Sequence, residues 1–327
     1  MPTLSHTYAG YGDIKVYAGS SCPDLAQQIA NHLGLPLSGR DIKHFPNDNL
    51  FVQLHSSVRG QDVYVIQTTS RPVHRNLMEL LILLQTIRLD SAGRITAVIP
   101  YLCYSRSDKT DQPRVPITAR LVADMIEIAG ADRYMTLDLH AGQIQGFFSI
   151  PGDVLTAFHI LTDHISGILP YMTDPVVVTA DLGFAKKGRN FAANIQAPIA
   201  FVEKRRSKRG LAEALTLIGN VRGRDVIIID DEVDTGGSMA EAVNLVKSEG
   251  ALKIYVIFVH AVFSDPAVER LSALPVERII TTDTIPVLPE KMAKLGEKLT
   301  ILSVAPLLGE VIRRAHEGRS VGEMFNE

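Results

Sequence analysis

The sequence predicts an α/β protein of two similar domains, each a mainly parallel sheet flanked by helices. Three observations carry that prediction. Apolar, β-rich runs alternate with helical patterns over nearly all of the 327 residues, as repeated βα units do. Most of those runs are continuously apolar rather than alternating, which suits strands covered by helices on both faces. And "ITAVIPYLCYSRSDKT" and "VIIIDDEVDTGGS", far apart in the chain, share one plan of buried strand, polar loop and helix. The length itself suggests two domains, each with enough chain to bury a core.

In chain order, strands are predicted at 14–19, 62–67, 94–101, 134–139, 175–181, 225–230 and 253–261. A helix is predicted from Pro116, suited to the first helical position, to Gly130. Another covers 238–249, where Met239, Ala242, Val243 and Val246 fall on one face and Gly250 suits the position after the C-cap. Ligands of such sheets bind outside the carboxyl ends of the strands, so the polar residues that follow each strand are the candidates.

Composition excludes several classes. The chain is 46% hydrophobic and 21% charged with a net charge of −3, which offers no overall affinity for nucleic acid or an anionic membrane. Cys22 and Cys103 form no metal spacing and read as thiols of a reduced, cytoplasmic compartment. The N-terminus lacks a secretory pattern, and the longest apolar run, "LMELLILL" at 77–84, is far too short to span a bilayer.

The most informative stretch is "IIIDDEVDTGGSMAEA" at 227–242. Thr235, Gly236, Gly237 and Ser238 open a helix, where free amides and the positive end of the dipole can receive a phosphate. No lysine follows, and the chain contains no Walker loop. A phosphate alone would not call for Asp230, Asp231 and Asp234 beside it. Vicinal sugar hydroxyls would, since carboxylates accept their hydrogen bonds and can also face a divalent cation. The residues thus describe a sugar-phosphate site; an acidic helix start with an ordinary tight turn is the alternative.

This stretch resembles the ribose-phosphate loop of type I phosphoribosyltransferases and of ribose-phosphate pyrophosphokinases. Further segments are similar to the pyrophosphokinases alone, including "IKVYAGSSCPDLAQQIA", "VRGQDVYVIQTT", "NLMELLILL", "AGRITAVIPYLCYSRSDK", "PITARLVADM", "LDLHAGQIQGFF", "EKRRSK" and "DTIP". They run in the same order over nearly the whole chain. The resemblance implies two type I phosphoribosyltransferase-like domains, 1–155 with a C-terminal helix at about 312–327, and 156–311. It implies transfer of the diphosphoryl group of Mg-ATP to ribose 5-phosphate, with Mg²⁺ as cofactor and hexamers built from dimers.

The resemblance also assigns residues. Phe45, Asn47, Asp48 and Asn49 align with an adenine loop, although Phe45 read alone is equally a core anchor. Arg106, Ser107, Asp108 and Lys109 follow a buried strand and would meet the nucleotide, arginine being suited to stacking and phosphate contact. Asp138 and His140, two apart on a predicted strand, would share a face; His140 and Asp181 are implied at the metal, with Asp138 and Asp153 as further candidates. Lys186 matches a basic position. Asp181, Asp230, Asp231 and the 234–238 loop would hold ribose 5-phosphate. Lys204 and Arg206, in the basic run "EKRRSKRG", would close over the triphosphate and stabilise its charge. Arg59 and Ser303 fall near regulatory positions.

Departures from the family pattern lie at Asn49, Ser107 and Ser149, each costing a charge or polar reach near the nucleotide. They keep open a silent paralogue that regulates an active homologue, and, more remotely, a transferase that consumes the phosphoribosyl diphosphate. Pro306, lacking an N–H, either alters an anion-binding loop and so the response to phosphate or ADP, or simply starts a helix.

Overall fold

The computed structural model describes residues 10–206 and 213–325, without the side chains of residues 182, 204–206, 213, 214 and 325. The chain forms two compact units, one running to Leu155 and resuming at Ser303, the other spanning Thr156–Leu302. The return to the first unit therefore begins earlier than the 312 expected.

The first unit contains β1 (Ile14–Ala18), α1 (Pro23–Leu33), β2 (Arg40–His44), β3 (Leu50–Leu54), β4 (Asp62–Ile66) and α2 (Val73–Leu89). β5 (Arg94–Ile99), α3 (Thr118–Ala129), β6 (Arg133–Leu137) and β7 (Gly152–Leu155) follow. β1, β4, β5, β6 and β7 make a parallel sheet in that spatial order. Every residue of β4 and β5 is buried, which is why both strands read as continuous apolar runs. β2 and β3 stand apart as an antiparallel hairpin; short and partly exposed, they lack the apolar run that would have marked them. α3 begins at Thr118 with Ile117 as its N-cap, so Pro116 precedes the helix instead of opening it.

The second unit contains α4 (Phe158–Ile168), β8 (Val176–Thr179), α5 (Ala185–Asn194), β9 (Ile199–Arg206), β10 (Glu213–Ile218) and β11 (Val226–Glu232). α6 (Gly237–Ser248), β12 (Ile254–His260), α7 (Ala267–Ala273), β13 (Arg278–Thr282), α8 (Pro289–Leu295) and β14 (Leu299–Leu302) complete it. Its seven-stranded sheet has the order β10-β9-β8-β11-β12-β13-β14. Only the β9–β10 pair is antiparallel. Met239, Ala242, Val243 and Val246 of α6 are the buried residues of that helix and join its core, so the predicted face is the packed face. Gly250, at φ +92°, terminates α6 in the left-handed region, its N–H bonding Lys247 O and that of Ala251 bonding Val246 O.

The chain then returns to the first unit as α9 (Ala305–Glu317). Pro306 occupies the first turn of α9, where a missing N–H costs nothing. α9 packs against α1 and is pinned at the amino ends of β4 and β5 by a buried polar cluster. Arg94 donates from Nε and Nη2 to the two carboxylate oxygens of Asp62, at 2.8 and 2.6 Å. Tyr64 Oη donates to Asp62 at 3.0 Å, His316 Nδ1 lies 2.8 Å from the same carboxylate, and Arg94 also reaches Ala315 O.

Candidate functional site

Strand order locates the first group of polar residues. From β8 the chain moves outward through β9 and β10, then returns to lay β11 on the other side of β8. The carboxyl ends of β8 and β11 therefore flank a topological switch point, where open α/β sheets leave a crevice. Asp181 lies two residues past β8, and β11 carries Asp230 and Asp231 before leading into the 234–238 loop. Asp231 is buried, while Asp230 keeps partial exposure. Asp230 Oδ1 accepts the Asp231 N–H at 2.9 Å, and Asp231 Oδ1 accepts the Glu232 N–H at 2.9 Å. Loss of solvent, then the Asp231 charge and more weakly that of Asp181, hold the Asp230 carboxyl well above the usual range.

The loop is shaped for an anion. Gly236 is the N-cap of α6 at φ +72°, a conformation open to glycine at little cost. Having no side chain, it cannot itself cap the first turn of α6, the end of a helix that suits a phosphate. Arg270, on α7, donates from Nη1 to Thr235 O at 2.9 Å and brings a guanidinium beside the loop. Sequence reasoning missed Arg270, which sits far along the chain in no motif. Thr235 and Ser238 are exposed at the loop, and Asp234 is half-buried.

The second group lies at the carboxyl ends of β5 and β6 in the first unit. Arg106, exposed, and Ser107 and Asp108 follow β5; Asp108 is buried and accepts a short hydrogen bond from Gln143 Nε2. Gln143 is the second residue of the 3₁₀ segment Gly142–Phe147, just after His140, so this bond ties the two loops together. Tyr104 adopts φ +59° and stacks on His74 with ring planes 5° apart, its hydroxyl 2.9 Å from His74 Nε2. β6 ends at Leu137, and Asp138 turns to φ +40°. Asp138 is consequently buried while His140 is exposed, and the two do not share a strand face as the spacing suggested. Asp153, on β7, pairs with Arg133 at 3.0 Å, a partner that metal ligation would displace.

Phe45, Asn47, Asp48 and Asn49 form the turn of the β2–β3 hairpin. Phe45 N–H bonds Asn49 O, Asp48 takes φ +64°, and the Asn49 N–H bonds Asn47 Oδ1. Phe45 is 48% exposed and touches Phe51 at a tilt, which rules out a core anchor. Arg59 is exposed, and Ser303 Oγ donates to Gln28 Oε1 at 2.8 Å. Lys186 lies exposed on α5. Ser149 is exposed, its N–H bonded to Glu127. The side chains of Lys204 and Arg206 lie outside the described residues, although the backbone of β9 runs through both in antiparallel register with β10.

Among the described residues, no cluster of three or more His, Cys, Asp or Glu side chains is ready to hold a metal ion. Mg²⁺ does not demand one: it keeps several waters and takes one or two carboxylates plus substrate phosphates. His140 and Asp181, each exposed past the end of its strand, are donors of that modest kind. Nor, among the described residues, is any helix long and apolar enough to cross a membrane.

Comparison with known proteins bears on both groups. Residues 14–130 match the N-terminal domain of ribose phosphate pyrophosphokinase, and residues 211–326 match the phosphoribosyl synthetase-associated domain. The ribose-phosphate pyrophosphokinase of Aquifex aeolicus is 43% identical over 312 residues, 95% of this chain and 99% of that protein. That of Caldanaerobacter subterraneus is 45% identical, covering 95% and 98%. A crystal structure of phosphoribosylpyrophosphate synthetase from Mycobacterium smegmatis superposes with a TM-score of 0.88 at 39% identity, over 94% of this chain and 99% of that one.

Proposed function

Since the chain belongs to the ribose-phosphate pyrophosphokinase family, we propose that it transfers the β,γ-diphosphoryl group of ATP to the anomeric hydroxyl of ribose 5-phosphate. The observation that carries this reading is the switch-point crevice of the second unit, where carboxylates and an anion loop converge. The first-turn amides of α6 and the hydroxyls of Thr235 and Ser238 hold the 5-phosphate. Asp181, Asp230 and Asp231 take the ribose hydroxyls, and Asp234 stands at the loop entrance. Each carboxylate accepts, so the sugar is oriented with its anomeric oxygen free to react.

The nucleotide falls to Arg106, Ser107, Asp108 and His140, with the Phe45–Asn49 turn reading adenine, in a neighbouring subunit if the family's hexamer forms. Asp108 is oriented by Gln143 for that contact. By resemblance His140 and Asp181 are the candidate ligands of Mg²⁺, which would supply charge neutralisation on the phosphates. Lys204 and Arg206 add positive charge to the transferring group. The anomeric oxygen bonds to the β-phosphorus and gives up its proton to water, the bond from that phosphorus to the α-phosphate bridging oxygen breaks, and AMP leaves. No protein nucleophile takes part. The setting is the cytoplasm.

The test is AMP formation by the purified chain, which should require ATP, ribose 5-phosphate and Mg²⁺ together. No turnover alone, with altered turnover of an active homologue on mixing, identifies a silent paralogue instead. Release of pyrophosphate from the sugar diphosphate with a nucleobase identifies a transferase. Arg270→Gln should raise KM for ribose 5-phosphate about tenfold, the order of one charge-assisted contact, and leave KM for ATP nearly unchanged. An equal rise for both substrates would mean that Arg270 serves general folding.

A further inference from the structure

A cleft of about 1010 Å³ opens between the β2–β3 hairpin and the first turns of α2, and no role has been given to its basic wall. The size lies at the upper end for ligand pockets. His44 and Asp48 come from the hairpin, Arg71 from just before α2, and His74 and Arg75 from its first turn. Leu50, Met78 and Ile82 form an apolar side.

Charge is unbalanced here. Asp48 is the only acid among the lining residues, against two guanidiniums that stay charged at any physiological pH. Other arginines of the same unit are paired with carboxylates, Arg120 with Asp124, Arg313 and Arg314 with Glu310 and Arg319 with Glu317, whereas this cleft gathers two that are not. Arg71 and Arg75 are exposed, and their side chains have neither a hydrogen bond nor an ion pair with any described residue. A concave wall of one sign focuses its field on what enters. His74 is not loose either, since stacking and hydrogen bonding to Tyr104 fix its ring.

We propose that this cleft binds a diphosphate or triphosphate chain, with Arg71 and Arg75 each gripping a phosphoryl group. A planar guanidinium meets phosphate oxygens in pairs, and two of them in one cleft suit two linked phosphoryl groups better than a single ion. The position of Tyr104, two residues before Arg106, places the cleft beside the segment assigned above to the nucleotide. The inference rests on the proposed function only for the natural source of the chain, a nucleoside triphosphate.

The experiment is calorimetric titration of the full chain with inorganic tripolyphosphate, with ATP and with inorganic phosphate, in wild type and in R71Q/R75Q. Tripolyphosphate and ATP should both lose at least about tenfold in affinity in the double variant. R120Q/R319Q, which removes the same charge from other surfaces, should bind as wild type does. Equal affinities in wild type and R71Q/R75Q would overturn the proposal, as would equal losses in the two double variants. Inorganic phosphate binding as tightly as tripolyphosphate would overturn the polyphosphate assignment. AMP formation is scored separately: an inactive chain that shows the tripolyphosphate loss defeats the proposed function alone, and an active chain without that loss defeats this inference alone.

Discussion

Replacing Asp230 with asparagine is expected to reduce kcat/KM for ribose 5-phosphate by about 10²–10³-fold, the scale of a charged acceptor lost at a reacting centre, while the protein becomes more stable. Both effects have one origin. Burial and the charges of Asp231 and Asp181 raise the Asp230 carboxyl well above its ordinary range, so folding favours its neutral form. A raised carboxyl contributes its stability in full below the unfolded value, and that contribution is lost as pH rises through the folded value. Asparagine mimics the protonated acid at every pH. Thermal melts of the two proteins should therefore coincide in acid and separate as pH rises toward neutrality, the variant melting higher by a few degrees. A variant less stable than wild type at neutral pH would show that Asp230 is stabilised in its charged form. Loss of activity together with a gain in stability would mean that the charge is kept for the substrate, at a cost to the fold.

The second large effect is on stability. Arg94→Met should lower the unfolding free energy by about 3–5 kcal/mol, since Asp62 would remain fully buried without its bidentate partner. Tyr64 and His316 still reach Asp62 but cannot replace two charge-assisted bonds. Adding Asp62→Leu removes the stranded charge, so the double variant should lose much less than the two single losses together. Urea unfolding followed by circular dichroism measures all three proteins. Additive losses would mean that the pair is not coupled. Because α9 is anchored through Ala315 and His316, limited proteolysis of Arg94→Met should begin near the C-terminus.

Much of this was legible in the chain. Strands β4, β5, β11 and β12 are buried on both faces, and their apolar runs announce it. The face of α6 follows from its spacing, and Gly250 from the backbone that its end requires. The hairpin β2–β3 was not legible, because two short half-exposed strands leave no hydrophobic period to read. Nor was the true geometry at Asp138: alternation along a strand holds only while the strand lasts, and β6 stops one residue earlier. Phe45 could not be assigned from its type, since an aromatic residue at a turn fits a core or a surface equally well until its neighbours are known.

By itself the sequence determined the repeated βα plan, the family and the glycine-rich opening of α6 at 234–238, because these depend on residue type and on local spacing. Tertiary structure decided which distant residues meet. Strand order set Asp181 at the edge of β11, and the docking of α7 brought Arg270 to Thr235. Gln143 reached Asp108, and Arg71, just before α2, and Arg75, in its first turn, line a cleft with one acid in it. Such pairings depend on the relative placement of whole elements, which packing sets and which no local pattern of residues encodes.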